Sequence, residues 1–285
     1  MIHRYTLFGN PIEQSLSPKI HTLFAEQVQR RLTYTASQAT VENFANEVDA
    51  FQSAGAQGCN ITLPLKEEAL KLCDKLNEAA HVAGSVNTIK FMRDGTRHGF
   101  NTDGSGLLYD LKKNLRLELT GKSVLLIGAG GAARGVIDPL LQAGVASITI
   151  ANRTLEKAET LVNAFAPRAE ISAGDVRALS LESLESLASD KTTAGYDLII
   201  NSTSAGFNQE KLELPQSILT PESFLYDLSY SKDATVNTPF LEWAISNGCE
   251  NFSDGLGMLL EQAADAFFLW EDVRPKTRMI KIKLR

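Results

Sequence analysis

Apolar residues recur along this chain with two periods that alternate from one end to the other. The alternation predicts an α/β protein with mostly parallel sheets. Arg4 to Gly9 reads as a strand, and Pro18 to Arg30 as a helix with Ile20, Leu23, Phe24 and Val28 on one face. Tyr34 to Ala36 is a short strand. Val41, Phe44, Val48 and Phe51 return at helical spacing, Gly58 to Thr62 is a strand, and Leu65 to Cys73 a helix. Val86 to Met92 and Thr96 to Phe100 flank Asp94-Gly95, a dipeptide suited to the positive φ of a tight hairpin turn. This part of the chain is expected to form a mixed sheet with one antiparallel hairpin. Beyond it, Lys122 to Ile127 is a compact apolar strand, followed by a glycine-rich turn and a helix to about Ala143. Ser147 to Ala151, Tyr196 to Asn201 and Phe224 to Leu228 read as further strands of a second sheet. The last long helix, Leu256 to Trp270, is expected to return to the first domain.

Composition narrows the class. The 285 residues are 44% hydrophobic and 22% charged, an ordinary globular balance. A net charge of -6 argues against a nucleic-acid surface, while leaving room for a local basic patch that takes one small anion. Cys59, Cys73 and Cys249 show no metal-ligand spacing, so no metal is expected and the thiols read as reduced and mostly buried. No apolar run approaches the ~20 residues that span a bilayer. The N-terminus moves straight into a strand-like pattern without a signal-peptide pattern. The protein is therefore expected to be cytoplasmic, with neither nucleic acid nor membrane as a partner.

The glycine-rich turn reads Ile127-Gly128-Ala129-Gly130-Gly131-Ala132-Ala133-Arg134. It fits G-x-G-x-x-G/A with Gly128, Gly130 and Ala133 at the three positions, and it follows a buried strand and opens a helix. Gly128 allows the tight turn, Gly130 lets the backbone approach a pyrophosphate, and Ala133 permits close helix–strand packing. Free N–H groups at the helix start then face the anion. The next strand ends Asn152-Arg153-Thr154. An NAD site usually carries an acid there for the ribose 2′-hydroxyl, whereas a guanidinium and a hydroxyl suit a 2′-phosphate. The cofactor expected is NADP.

Candidate chemistry sits earlier in the chain. Ser15 and Ser17 precede Pro18. Ser17 reads first as an N-cap, and the two hydroxyls would also form a neutral cradle for a carboxylate. In Asn60-Ile61-Thr62-Leu63-Pro64-Leu65-Lys66-Glu67-Glu68, Pro64 suggests a helix start with Lys66 in its first turn. A cation there opposes the helix dipole, whereas Glu67 and Glu68 complement it. A purely structural design would not choose lysine at that spot. Gly84-Ser85-Val86-Asn87-Thr88 and Asn101-Thr102-Asp103-Gly104 place polar side chains at a strand start and at the join of the two domains. In the last helix Met258, Leu259, Ala263, Ala266, Phe267 and Trp270 form an apolar stripe that contains Gln262, an amide in need of partners.

Taken together these strings resemble the shikimate dehydrogenase family, with Asn201-Ser202-Thr203, Tyr226-Asp227-Leu228-Ser229-Tyr230 and Asp254-Gly255-Leu256-Gly257-Met258 extending the likeness over nearly the whole chain. The resemblance implies NADPH-dependent reduction of 3-dehydroshikimate to shikimate, in aromatic amino-acid biosynthesis. It implies two α/β domains with the active site between them. Residues 1–103 with 254–285 would bind substrate, and residues 104–253 would form a Rossmann domain. It makes Lys66 and Asp103 the catalytic pair. Substrate ligands would be Ser15, Ser17, Thr62, Lys66, Asn87, Asp103, Tyr230 and Gln262. Cofactor ligands would be Gly128, Ala129, Gly130, Gly131, Ala132, Asn152, Arg153, Thr154, Thr203, Leu228 and Gly255. The only expected partner is the small-molecule substrate, in a monomer or homodimer. Leu228 and Ser229 depart from the family pattern, which often has bulkier residues there. The nearest rival is a quinate/shikimate dehydrogenase with relaxed cofactor use, against which Arg153 argues. A non-catalytic NADPH-binding regulator would need neither Lys66 nor Asp103.

Overall fold

The computed structural model describes residues 2–13, 15–184, 195–203, 214–233 and 235–284. The chain divides into two units, Met1–Leu107 with Leu259–Leu284, and Leu108–Met258. The divisions fall inside the helices Asp103–Tyr109 and Leu256–Glu271, a few residues beyond Asp103 and Asp254.

The first unit is built on a mixed six-stranded sheet. Its strands are β1 (His3–Gly9), β2 (Leu32–Gln38), β3 (Gly58–Ile61), β4 (Lys75–Leu76), β5 (Thr88–Phe91) and β6 (Arg97–Phe100), in the order β2-β1-β3-β5-β6-β4. β1 pairs in parallel with β2 and β3, and β5 antiparallel with both β3 and β6. The period of two is visible in β1. Phe8 joins one core with Phe44, Val48, Ile61, Leu65 and Ile89, while Tyr5 and Leu7 face Tyr34, Ala266 and Trp270 on the other side. Trp270 stacks on Tyr5 at 4.4 Å between ring centroids and donates its indole N–H to the Ile89 carbonyl at 3.0 Å. His21 stacks on Tyr34 at 4.1 Å, and full burial among aromatic rings pushes its pKa down to about 3, so the imidazole is neutral.

The second unit is a parallel sheet of β7 (Ser123–Ile127), β8 (Ser147–Asn152), β9 (Asp175–Ser180), β10 (Leu198–Asn201), β11 (Phe224–Asp227) and β12 (Asn251–Ser253). The order β12-β11-β10-β7-β8-β9 is the doubly wound arrangement, with its switch point between β7 and β10. Val124 to Ile127 have no exposed surface, as expected for strands covered on both faces. β9 lies within the stretch Ala166 to Gly195, to which the sequence assigned no chemistry; residues 185–194 of that stretch lie outside the described residues. The helix Leu256–Glu271 is buried on more than its expected stripe: Leu260 and Ala264 are buried and Leu259 only partly so. No helix among the described residues is long and apolar enough to cross a membrane.

Gly58 in β3 lies against the Trp270 side chain and the neighbouring β5 backbone; a Cβ there would overlap the Ile89 carbonyl and Trp270 Nε1. Gly58→Ala is expected to destabilise the protein by about 1–3 kcal/mol through overpacking and loss of that hydrogen bond. A denaturant midpoint unchanged from wild type would refute the packing account.

Candidate active site

In the first unit, the short helix α3 (Lys66–Lys71) starts immediately after the turn that ends β3, and the helix Asp103–Tyr109 starts immediately after β6. Both present their first residue at the same spot. Lys66 Nζ donates to Asp103 Oδ2 at 2.5 Å, and both residues are buried. Asp103 lies in a helical first turn, where a carboxylate is favoured by the dipole; Lys66 occupies the disfavoured one. The carboxylate compensates the lysine, and other donors satisfy the carboxylate. Asn87 Nδ2 donates to Asp103 Oδ1 at 2.9 Å, and the Asp103 backbone N–H is fixed by Asn101 Oδ1 at 3.0 Å.

The same amide reaches further. Asn87 Nδ2 also faces Thr102 Oγ1 at 2.9 Å and Gln262 Oε1 at 3.3 Å. Gln262 is brought there by a close helix approach, since a Cβ on Gly106 would lie 2.7 Å from the Gln262 Cβ. Three polar ligands expected from sequence, Asn87, Asp103 and Gln262, therefore form one cluster that Asp103 joins to Lys66. Thr62 follows β3 directly and is half-buried, with its backbone N–H on the Phe8 carbonyl at 2.9 Å.

The serine pair needs a correction. The helix α1 spans Ser17–Gln27, and its capping position is Leu16, so Ser17 is the first helical residue and not the cap. Ser15 Oγ instead accepts the Ser17 backbone N–H at 3.2 Å. The buried Ser17 hydroxyl is hydrogen-bonded to the Tyr34 hydroxyl. The proline shifted the helix start by one residue, because its fixed φ suits either of the first positions.

Behind these residues runs a buried network that periodicity did not reveal. Tyr34 donates to Asn60 Oδ1 at 2.7 Å, Asn60 Nδ2 to Thr88 Oγ1 at 2.9 Å, and Thr88 Oγ1 to Asn87 Oδ1 at 2.9 Å. The Thr102 N–H also donates to Asn87 Oδ1 at 3.0 Å, which fixes the orientation of the amide. Asparagine and threonine inside a strand are the only sequence signal for this network, since buried polar groups require partners.

In the second unit, Gly128 follows β7 with φ +107°, and a Cβ there would lie 2.7 Å from Ser202 Oγ at the end of β10. Gly130 caps the helix α6 (Gly131–Gln142), and a Cβ on it would meet open space. Ala133 is fully buried against the sheet. The turn thus leaves open space beside the start of that helix, at the strand switch point of the sheet. Asn152 ends β8 and its amide donates to the Thr154 carbonyl at 2.8 Å, which orders the turn that carries exposed Arg153. Lys157, also exposed, follows in the first turn of the helix Leu155–Ile171. No motif in the sequence marks this second cation. Thr203 is tied through its N–H and hydroxyl to Asn201 Oδ1 at 3.1 and 2.8 Å. Gly255 donates to the Ser229 carbonyl at 2.8 Å, and a Cβ on it would collide with the Leu228 carbonyl. Tyr230 is half-buried, three residues beyond β11.

Comparison with known proteins identifies the family. Residues 7–89 match the family pattern described as the shikimate dehydrogenase substrate binding domain, and residues 110–238 match shikimate / quinate 5-dehydrogenase. The shikimate dehydrogenase (NADP(+)) of Vibrio cholerae is 46% identical over 284 residues, covering 100% of this chain and 96% of that protein. Among solved structures, an Ael1 enzyme from Pseudomonas putida is 40% identical with a TM-score of 0.84, covering 99% of this chain and 98% of that one. Shikimate 5-dehydrogenase from Thermus thermophilus, solved with NADP(H) and shikimate, is 31% identical with a TM-score of 0.81, covering 100% of this chain and 99% of that one. With both family patterns matched in order and a relative this similar over its full length, the chain belongs to the shikimate dehydrogenase family.

Proposed function

We propose that this protein is an NADP-dependent oxidoreductase that reversibly reduces 3-dehydroshikimate to shikimate, with Lys66 and Asp103 as its catalytic pair. The observation that carries the reading is the buried contact of Lys66 Nζ with Asp103 Oδ2, ringed by Asn87, Thr102 and Gln262. A non-catalytic NADPH-binding protein has no use for a lysine at a helix start that is compensated so closely. Bound NADPH supplies a hydride to the carbonyl carbon. The oxygen that gains negative charge then needs a proton, which the Lys66 ammonium donates, while Asp103 steadies the cation and accepts from a ring hydroxyl. Asn87, Gln262 and Thr62 match further hydroxyls, and Ser15 and Ser17 offer donors to the substrate carboxylate. Tyr230 is assigned to the substrate as well.

The open space beside Gly130 and the helix start at Gly131 fit a dinucleotide's pyrophosphate. Ala129 and Ala132 supply backbone to the same cradle. Arg153 with Asn152 and Thr154 fits the 2′-phosphate, and Lys157 adds a second cation. Thr203, Leu228 and Gly255 line the cofactor site farther along the strand ends.

Lys66→Ala is expected to lower kcat for NADP-linked shikimate oxidation by roughly 10²–10⁴-fold, the range of general acid–base catalysis, while leaving the Kd for NADPH unchanged. A kcat close to wild type would remove Lys66 from the mechanism. Arg153→Ala is expected to lower kcat/KM for NADP by about 10–100-fold, the size of one or two charge-assisted hydrogen bonds, with NAD-linked activity unaffected. Equal losses with both cofactors would show that Arg153 does not read the 2′-phosphate. Higher kcat/KM with quinate than with shikimate in the wild type would favour the quinate reading instead.

A further inference from the structure

Asp227 sits at the centre of the second unit's cofactor edge. The register across the sheet aligns Ile127, Asn201 and Asp227, the last residues of β7, β10 and β11. All three strands end at the edge where the Gly128 turn begins. Asp227 is fully buried and acts as an acceptor on both oxygens. Oδ1 takes Asn201 Nδ2 at 3.0 Å and the Ser229 N–H at 3.0 Å, and Oδ2 takes the Thr238 hydroxyl at 2.6 Å.

Each partner leads to a residue assigned to the cofactor or to the segment that carries it. Asn201 holds Thr203 through its other atom, Oδ1. Asn201 also supplies the carbonyl that accepts the Leu228 N–H at 2.9 Å. Ser229 offers its carbonyl to Gly255. Thr238 caps the helix Pro239–Ser246, accepting the Leu241 N–H at 3.4 Å while it donates to Asp227. One carboxylate thus joins the ends of two strands, the Leu228–Ser229 turn, Gly255 and a helix start.

A neutral amide of the same shape would cost less to bury. No cation pairs with Asp227 in the contacts described, and the charged group that bears on it is Asp254, of like sign. Asn201, Ser229 and Thr238, which face it from β10, the turn and the helix, are neutral. Burial pushes the carboxyl up to about 6, against an ordinary value of 3.8. The fold therefore tolerates a destabilising anion in exchange for a stronger grip, because hydrogen bonds to an ionised acceptor are roughly twice as strong as neutral ones.

We propose that Asp227 is a positioning residue for the cofactor, whose ionised carboxylate holds Thr203, Leu228 and Gly255 in their binding arrangement. The inference rests on the assignment of those three residues to the NADP site. Its pH dependence has a definite sign. As pH falls through about 6 the carboxyl gains a proton, loses acceptor capacity and relaxes its hold. Stability moves the other way: a carboxyl whose value is raised on folding contributes stability that is fully present below 3.8 and lost as pH rises through about 6. Weaker cofactor binding in acid would therefore not be a sign that this group is unfolding the protein.

The test is a fluorescence titration of NADPH onto the wild-type full chain and Asp227→Asn, from about pH 5 to about pH 8. The 2′-phosphate itself titrates at about pH 6, so the ratio of the two Kd values is the quantity to read. Asp227→Asn is expected to bind NADPH roughly tenfold more weakly at about pH 8, equivalent to one hydrogen bond to a charged group, with the ratio closing towards one at about pH 5. A ratio that stays at one, or that is the same at every pH, overturns the proposal. If circular dichroism shows that Asp227→Asn does not fold, Thr238→Val should weaken NADPH binding at about pH 8 and Thr238→Ser should restore it; no loss in the first, or no rescue in the second, counts against it. Wild-type protein that fails to bind NADPH would overturn the cofactor assignment itself, whereas wild type that binds NADPH and oxidises shikimate with a flat ratio would overturn only the role of Asp227.

Discussion

The buried pairing of Lys66 with Asp103 is the constraint that the surrounding structure answers to. Two charges removed from water lose hydration that their mutual attraction regains only if geometry and additional hydrogen bonds are good. The first unit meets that demand by starting two helices close together, so that both side chains leave backbone turns that hold them near one another. Asn87 completes the carboxylate, Asn101 fixes its backbone, and Thr88 and the Thr102 N–H fix the orientation of Asn87. Removal of either charge would leave the other buried and uncompensated, which explains why the site is surrounded by a fully partnered network of neutral amides and hydroxyls. Those same neutral groups can exchange partners with the hydroxyls of a small polyol.

The second unit solves a different problem with backbone instead of side chains. Parallel strands covered on both faces must end somewhere, and in the doubly wound order the ends beside the switch point diverge to opposite faces. The gap is lined by free N–H groups at the start of α6, and glycines keep it open. Gly128 adopts a positive φ close to Ser202, and Gly255 packs directly on the Leu228 carbonyl. Those contacts leave the turn sequences little freedom. Arg153 and Lys157 are exposed, so the role proposed for them at the 2′-phosphate would place few packing demands on the fold.

Much of the fold was legible because its physical signals are local. Buried parallel strands read as continuous apolar runs, and the hairpin announces itself through Asp94-Gly95. A glycine pattern set between a strand and a helix has little use except to admit a phosphate close to the backbone. Lys66 was visible as a cation where the helix dipole disfavours one. Ser17 was misplaced by one residue because proline is accepted at more than one position of a first turn. The short elements β4 and β12 escaped notice, since a strand of two or three residues carries no period. Asn60 and Thr88 lie in polar strings that sequence alone gives no individual role, Tyr34 reads as an ordinary strand residue, and Asp227 as one letter of a longer string.

The sequence by itself determined the class of fold, the glycine cradle and the identity of the polar residues, because those depend on backbone conformation and on spacing within a few turns. Only the tertiary structure decided which polar side chains meet. Lys66 and Asp103 are 37 residues apart in sequence, and Asn87 and Gln262 are 175 apart. Whether such groups satisfy one another, or whether a carboxylate such as Asp227 has no cation beside it among the described residues, depends on how strands are ordered in the sheet and where helices cross. That order is set by packing across the whole unit and leaves no local mark on the chain.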